Sequence, residues 1–357
     1  MRSVSRIGVS LLIILLSHCA LRAVHEPLRY IFRNGQEGYR MYRIPAVAVM
    51  PDGRIVAFAE GRQSLFDHGK IDIVMKSSAD SGRTWSPLRI VWSEPSGTCG
   101  NPAPVLDTRT GHLLLLCTYN NQKVICLSSA DQGRTWSAPR DITPQVRPDI
   151  WAWYATGPGH SIQVEEGVYQ GRLVIACNHT VRGSAEHISH VILSDDDGAT
   201  WRAGGSVPCA GSDECTVAET PGGTLLLNMR NEQRKVPNRK VAYSRDGGGS
   251  WTGCTYDSTL IEPMCEGTLC RLHGTSGVML FCNPAHRNRR CRLTLRVSHD
   301  YGSTWSRSVL LHSGPSAYSD LAELPGGDIL CIYEAGRLWP YGGIAILSIP
   351  AAEMSQP

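Results

Sequence analysis

Apolar residues in this chain come in short runs of roughly four to eight, alternating with polar residues or continuous. Gly, Pro, Asn and Asp break the runs apart. Six of them, Arg54–Glu60, His112–Tyr119, Gly171–Asn178, Gly222–Met229, Gly277–Asn283 and Gly327–Glu334, open on a glycine or just after one. Runs of that length, bounded by turn formers, predict half-buried or fully buried strands. No segment keeps a 3.6-residue apolar period long enough to predict a substantial helix. The pattern predicts an all-β chain.

A second pattern gives the strands an order. Ser-x-Asp-x-Gly-x-Thr/Ser-Trp occurs five times, with its Asp at positions 80, 131, 196, 246 and 300 and its Trp at 85, 136, 201, 251 and 305. Each copy follows a β-rich run, such as Ile71–Met75 or Leu293–Val297. The glycine permits positive φ, the Asp and Thr side chains can bond backbone groups within the turn, and the Trp carries a large apolar surface back between strands. These boxes are therefore read as structural staples. Their spacing fits one small sheet per repeat, and repetition around an axis leaves few free sheet edges. The expectation is a six-bladed β-propeller. Five blades carry a box, and the sixth is closed by pairing Gly343–Ile349 with an N-terminal strand near Arg29–Phe32. The repeats run from about Arg43 to Glu334 without a Pro/Ser-rich linker, which predicts one domain over residues 24–357.

Composition narrows the function classes. The 357 residues carry 35 basic and 32 acidic side chains for a formal charge of +3, too little to argue for nucleic acid or a basic membrane surface. No GxxxxGK[ST], zinc-type CxxC pair or HExxH is present, so neither nucleotide nor metal chemistry is expected. Residues 1–23 read as a signal peptide: Arg2 and Arg6, then the apolar Ile7–Leu16, then Ala20 or Ala23 for cleavage. The apolar stretch falls short of the about 20 residues needed to span a bilayer. Delivery is therefore expected to be secreted, lumenal or periplasmic, or lysosomal in a eukaryote; a lipoprotein reading of Leu16-Ser17-His18-Cys19 is the alternative. Cys117, Cys126, Cys177, Cys282 and Cys331 sit in or beside apolar runs and read as buried thiols. Cys99, Cys209, Cys215, Cys254, Cys265, Cys270 and Cys291 lie near turns as disulfide candidates. Asn178-His179-Thr180 is the one glycosylation sequon.

Strands nearest a propeller axis deliver side chains to a shared mouth, so charged residues at strand ends are the candidates for chemistry. They are Arg43 in Tyr42-Arg43-Ile44-Pro45, the Glu60-Gly61-Arg62 group with Asp67, Asp213-Glu214, Arg230, Arg290, the segment Ala317-Tyr318-Ser319-Asp320, and Tyr333-Glu334. With these motifs in this order, nearly the whole chain after the signal resembles the sialidase (exo-α-neuraminidase) family. The boxes contribute little specificity; Tyr-Arg-Ile-Pro, Ala-Glu-Gly-Arg with Asp67, Tyr-Ser-Asp-Leu and Tyr-Glu-Ala-Gly contribute most.

The resemblance implies a metal-free retaining glycosidase acting on sialylated glycans. Arg43, Arg230 and Arg290 match an arginine triad, and planar guanidiniums suit the substrate's carboxylate. Arg287, Arg289, Arg292 and Arg296 compete for the third place. Tyr318 matches the nucleophile, a neutral group that avoids repulsion by the substrate's own carboxylate. Nearby arginines are expected to favour its ionised form, and Glu214 matches the base that takes its proton. Asp67 matches the acid/base, with Asp72 as a competitor expected to face out of its strand. Glu60 and Arg62 match a substrate-contacting pair, and Glu334 the carboxylate that holds Arg43. His160, Trp151 and Tyr154 are candidates to line the mouth. The alternatives are a trans-sialidase, a glycosidase for a related nonulosonic acid, and a non-catalytic box-containing propeller that only binds.

Overall fold

The computed structural model describes residues 28–274 and 277–354; the expected signal peptide lies outside them. The strands form antiparallel sheets in chain order. The first joins Met41–Val49, Ile55–Arg62, Ile71–Ser78 and Arg89–Trp92, and the second Cys99–Leu106, Leu113–Tyr119, Lys123–Ser129 and Arg140–Asp141. The third is built on Trp151–Thr156, Leu173–Val181, His187–Ser194 and Arg202–Ser206, with Ile162–Gln163 added beside Leu173–Val181. The fourth joins Ser212–Thr220, Thr224–Asn231, Asn238–Ser244 and Thr255–Ile261. A seven-stranded sheet completes the set, and its pivot is the 17-residue strand Arg307–Glu323. The first half of that strand pairs with Cys291–Ser298 and the second with Ile329–Ala335. The N-terminal strand Tyr30–Arg33 pairs with Gly343–Ile349, the closure the sequence predicts.

This is an all-β, propeller-like arrangement: Met41–Val49 meets Cys99–Leu106, which meets Trp151–Thr156, Leu173–Val181 meets Ser212–Thr220, and Arg307–Glu323 meets Met41–Val49 to close the ring. Four of the six glycine-led runs of the sequence pattern are the second strands of their sheets, and the other two, Gly277–Asn283 and Gly327–Glu334, lie within the seven-stranded sheet. Their apolar side chains interlock between neighbouring sheets. Ala46, Phe58 and Ile73 of the first sheet pack with Cys99, Leu115 and Ile125 of the second, and Leu114, Leu116 and Cys126 with Tyr154 and Ile175 of the third. Burial of each Phe, Ile or Leu among them contributes about 1.5–3 kcal/mol, so the sheet-to-sheet seams hold the ring together.

Each box is a closed local network. The Ser hydroxyl oxygen accepts the glycine N–H at 2.8–2.9 Å. One Asp oxygen accepts the Thr or Ser backbone N–H at 2.7–2.9 Å. The other accepts the same residue's hydroxyl at 2.6–2.7 Å. The box glycines take φ of 79–91°, a conformation a side chain would strain. Register places the boxes at one end of the ring: in the first sheet Ser78 pairs with Ile55, whereas Arg62 pairs with Ile71 at the opposite end.

Several expectations change. Of the seven disulfide candidates only Cys209 and Cys254 are joined, their Cα atoms 5.9 Å apart. Cys99, Cys215, Cys265 and Cys270 are buried free thiols, and Cys291 is a half-buried one. Asp72 does not face outward: it is buried, accepting from the Tyr39 hydroxyl at 2.8 Å and the Lys70 ammonium at 2.5 Å. Two partners offset the cost of burying it between Ile71 and Ile73. Asn178 of the sequon is fully buried mid-strand, so the folded chain cannot present it to a glycosylating enzyme.

Candidate active site

At the end of the ring away from the boxes, the inner strands depart from regular pairing. Register shifts fall between Arg43 and Ala46, Gly100 and Ala103, Ser212 and Cys215, and Ser316 and Ser319. Glu214 and Tyr318 sit inside two of these irregularities, and Arg43 borders a third. A bulge adds a residue to one strand and re-aims its side chains; here bulges turn residues of flat strands toward the axis. In the first strand the device is explicit. Ile44 takes φ 58°, Pro45 has no N–H to give a ladder, and the freed Ile44 N–H goes to Glu334 Oε1 at 2.9 Å.

Glu334 organises one wall. Its Oε1 accepts from Arg43 Nε at 2.6 Å and its Oε2 from the Tyr318 N–H at 3.3 Å. Glu266 holds the next peptide, accepting the Ser319 N–H at 2.9 Å. Tyr318 is thus fixed through the backbone on both sides. Burial works against the charge of Arg43, but the Glu334 carboxylate more than offsets it, and the guanidinium is held firmly cationic.

The phenol of Tyr318 donates to Glu214 Oε1 in a short contact. Arg230 Nη1 reaches both Glu214 Oε2 at 2.8 Å and the Tyr318 oxygen at 3.3 Å. Arg290 settles the question of register among its neighbours. Its guanidinium lies 5.4 Å from the Tyr318 ring centre, and it donates to Tyr341 Oη at 2.7 Å and to the Met264 carbonyl at 2.8 Å. Arg287, Arg289 and Arg292 are exposed, and Arg296 is buried elsewhere against Asn283. Arg43 also faces Tyr318, 5.2 Å from its ring centre.

The expectation that arginines would ionise the phenol is not met in the free protein. Burial and the Glu214 carboxylate push Tyr318 well up, outweighing Arg230 and Arg290, so the resting group is a neutral phenol poised on its base.

Asp67 stands on the exposed loop between Ile55–Arg62 and Ile71–Ser78. Its side chain is 80% exposed, yet Arg62 Nη1 donates to it and Arg43 Nη1 lies 3.6 Å away. Burial is the largest single influence and raises its pKa, but the charge and hydrogen bond of Arg62 with the charges of Arg43 and Arg290 together prevail and hold the carboxyl below its ordinary range. Arg62 also donates to Glu60 Oε2, from Nε at 2.8 Å, and Glu60 Oε1 anchors the Asn101 N–H at 2.8 Å.

Arg43, Glu60, Arg62, Asp67, Glu214, Arg230, Arg290, Tyr318 and Glu334 therefore form one connected set at a single mouth. Tyr341 was missed: its ring lies 4.1 Å from the Arg43 guanidinium, stacked against it, and its hydroxyl meets Arg290. A loop tyrosine carries no local signal that could have found it. The mouth-lining expectation fails for His160, Trp151 and Tyr154. His160 pairs with the buried Asp320 at 2.6 Å, below the site, where it borders a cavity of about 910 Å3 with Val47, Val217 and Leu321. Trp151 and Tyr154 pack inside the third sheet with His179 and His190.

Fold and site together define a propeller-like protein of repeated sheets carrying an arginine-lined, tyrosine-centred pocket. The BNR repeat-like domain family matches residues 45–331. A sialidase of Micromonospora viridifaciens is 34% identical over 335 residues, covering 85% of this chain and 51% of that one. An exo-alpha-sialidase of Aspergillus fumigatus is 32% identical over 302 residues, covering 74% of this chain and 69% of that one. The solved Hadza microbial sialidase Hz136 superposes with a TM-score of 0.82 at 28% identity, covering 91% of this chain and 68% of that one. This chain belongs to the sialidase family. It spans about half the length of the Micromonospora relative.

Proposed function

We propose that this protein is an exo-sialidase that releases terminal α-linked sialic acids from glycoproteins, glycolipids or oligosaccharides with retention of configuration. One observation carries the reading: three guanidiniums, Arg43, Arg230 and Arg290, surround a single buried phenol that is already hydrogen-bonded to a carboxylate. That combination suits a substrate whose reacting carbon bears its own carboxylate.

In the proposed sequence the substrate carboxylate binds the three arginines. The Tyr318 oxygen attacks the anomeric carbon as Glu214 takes the phenol proton, and Asp67 gives a proton to the departing glycosidic oxygen. Water then attacks the tyrosyl-linked carbon, Asp67 takes its proton, and the phenol recovers its own from Glu214. Two inversions give net retention. Asp67 enters this cycle as the anion held by Arg62 and Arg43 in the free site. A substrate carboxylate competing for Arg43 raises the Asp67 pKa, so Asp67 takes up a proton from solvent as the substrate binds, and this is the proton it gives to the glycosidic oxygen.

The same proposal takes the architecture as six blades, counting the seven-stranded sheet as two that share the strand Arg307–Glu323. It takes residues 24–357 as one domain and residues 1–23 as a signal for export to a secreted, lumenal or periplasmic destination. The Cys209–Cys254 disulfide supports an oxidising destination.

The test is hydrolysis of a fluorogenic α-sialoside across pH, with NMR of the first-formed product. Release of the α-anomer first is expected. No release, or the β-anomer first, overturns the reading. Formation mainly of sialyl-lactose when lactose is in excess would make the enzyme a transferase.

A further inference from the structure

On the outer side of Arg230, three side chains unused by the glycosidase chemistry converge. His187 opens the strand His187–Ser194, Asp213 lies in Ser212–Thr220, and Glu232 follows Thr224–Asn231, so the group bridges the third and fourth sheets. His187 Nδ1 stands 3.1 Å from Glu232 Oε1 and 3.4 Å from Asp213 Oδ1. No two of the three potential ligand atoms are more than 4.8 Å apart. The Asp213 side chain is 4% exposed and forms the floor, while His187 and Glu232, at 24% and 25%, form a rim open to water.

Hydrogen bonding from His187 alone does not serve both carboxylates. Nδ1 carries one proton and serves one acceptor at a time, yet two carboxylates lie within reach of it. A tetrahedral ion with bonds of about 2.0–2.2 Å holds its donor atoms about 3.3–3.6 Å apart; the His187–Asp213 distance falls in that range and the His187–Glu232 distance lies just below it. One imidazole with two carboxylates suits a borderline ion such as zinc, whereas calcium takes six to eight oxygens. Outer contacts are in place to orient the buried ligand. Asn178 Nδ2 donates to Asp213 Oδ1, and Arg230 Nε lies 3.2 Å from Asp213 Oδ2. The Trp153 ring, 5.0 Å from the His187 ring, walls one side.

We infer that His187, Asp213 and Glu232 form a zinc site beside the arginine pocket, with water as the fourth ligand. It is distinct from the glycosidase machinery, and it touches that machinery at one point: Asp213 is shared with Arg230. A dication on Asp213 draws the carboxylate's charge away from Arg230, so occupancy of the site loosens one arginine of the pocket.

The experiment titrates Zn2+ calorimetrically into chelator-stripped full-length protein. One saturable site per chain is expected, weakened at least tenfold in both His187→Gln and Glu232→Gln. Thermal melting confirms that the variants fold; should His187→Gln fail to fold, the rim variant Glu232→Gln decides. Absence of a one-to-one site, or affinity unchanged in a folded variant, overturns the inference. The readout is binding of the metal alone, so its outcome does not depend on whether the protein cleaves sialosides.

Discussion

The two ends of the ring use the same kinds of side chain in opposite ways. At the box end, Ser, Asp and Thr bond to partners two to four residues away, five times over, and each network closes on itself. At the other end Arg43 meets Glu334 from 291 residues away, and Tyr318 meets Glu214 from 104. A local network folds wherever its octet occurs and stabilises only its own turn. The distant network exists only once the ring has closed, and each of its members occurs once. The first arrangement is therefore redundant and structural, the second unique and chemical.

That contrast can be broken from either end. The largest effect is expected for Tyr318→Phe, which removes the attacking oxygen and leaves Arg230 to hold Glu214. Turnover should fall on the order of 10³-fold or more while the melting temperature stays nearly constant. Turnover near wild type would show that the gathered residues are not the reacting ones. Next is Arg43→Lys. A point charge cannot replace a planar fork shared among Glu334, the Tyr341 face and the substrate carboxylate, so kcat/KM should drop roughly 10²-fold, mainly through KM. A near-normal KM would detach Arg43 from substrate binding.

The box end should respond the other way. Asp131→Ala is expected to lower the melting temperature by a few degrees with kcat intact; lost turnover at unchanged melting temperature would end the division of labour. The sign of its pH dependence follows from the hydrogen bonds. Thr135 donates to Asp131 through its hydroxyl and its N–H, and these bonds hold the folded carboxyl below its ordinary value. The stabilisation is therefore fully present above the unfolded carboxylate pKa of about 4 and is lost as pH falls below it. Wild type and Asp131→Ala melting curves should converge on acidification; parallel curves down to pH 2 would contradict this origin.

The smallest effect sharpens the site's electrostatics. Asp67 is held low in the free protein by Arg62, Arg43 and Arg290. An anionic inhibitor that takes Arg43 and Arg290 should raise its pKa, so binding near pH 5 should take up a fraction of a proton. Calorimetry in two buffers of different ionisation enthalpy reads that uptake directly. Identical heats would mean that Asp67 stays with Arg62 in the complex.

Much of this could be read along the chain. The period of two, the glycine-led runs and the boxes carried the strands and the staples, because each depends on neighbours within a few residues. The functional candidates were legible as strand-end Arg, Glu, Asp and Tyr in recognisable motifs, down to Glu334 beneath Arg43. The misreadings share one cause. Asp72 looked outward between two isoleucines until Tyr39 and Lys70 were brought to it. His160 looked like a mouth residue until Asp320 claimed it from another strand. Tyr341 had no motif at all, and the choice of Cys209 and Cys254 among seven cysteines depended on two loops meeting.

By itself the sequence determined an all-β chain of repeated small sheets, stapled by boxes and carrying a charged set with one phenol. Only the tertiary structure decided that the set converges, because convergence is a property of ring closure. Strand bulges at one end turn Arg43, Glu214 and Tyr318 toward a common axis. The same closure sets the charge state of Tyr318, since the Glu214 carboxylate that helps keep it neutral comes from the fourth sheet, whereas Asp67 is kept ionised mainly by Arg62 and Arg43 of its own sheet.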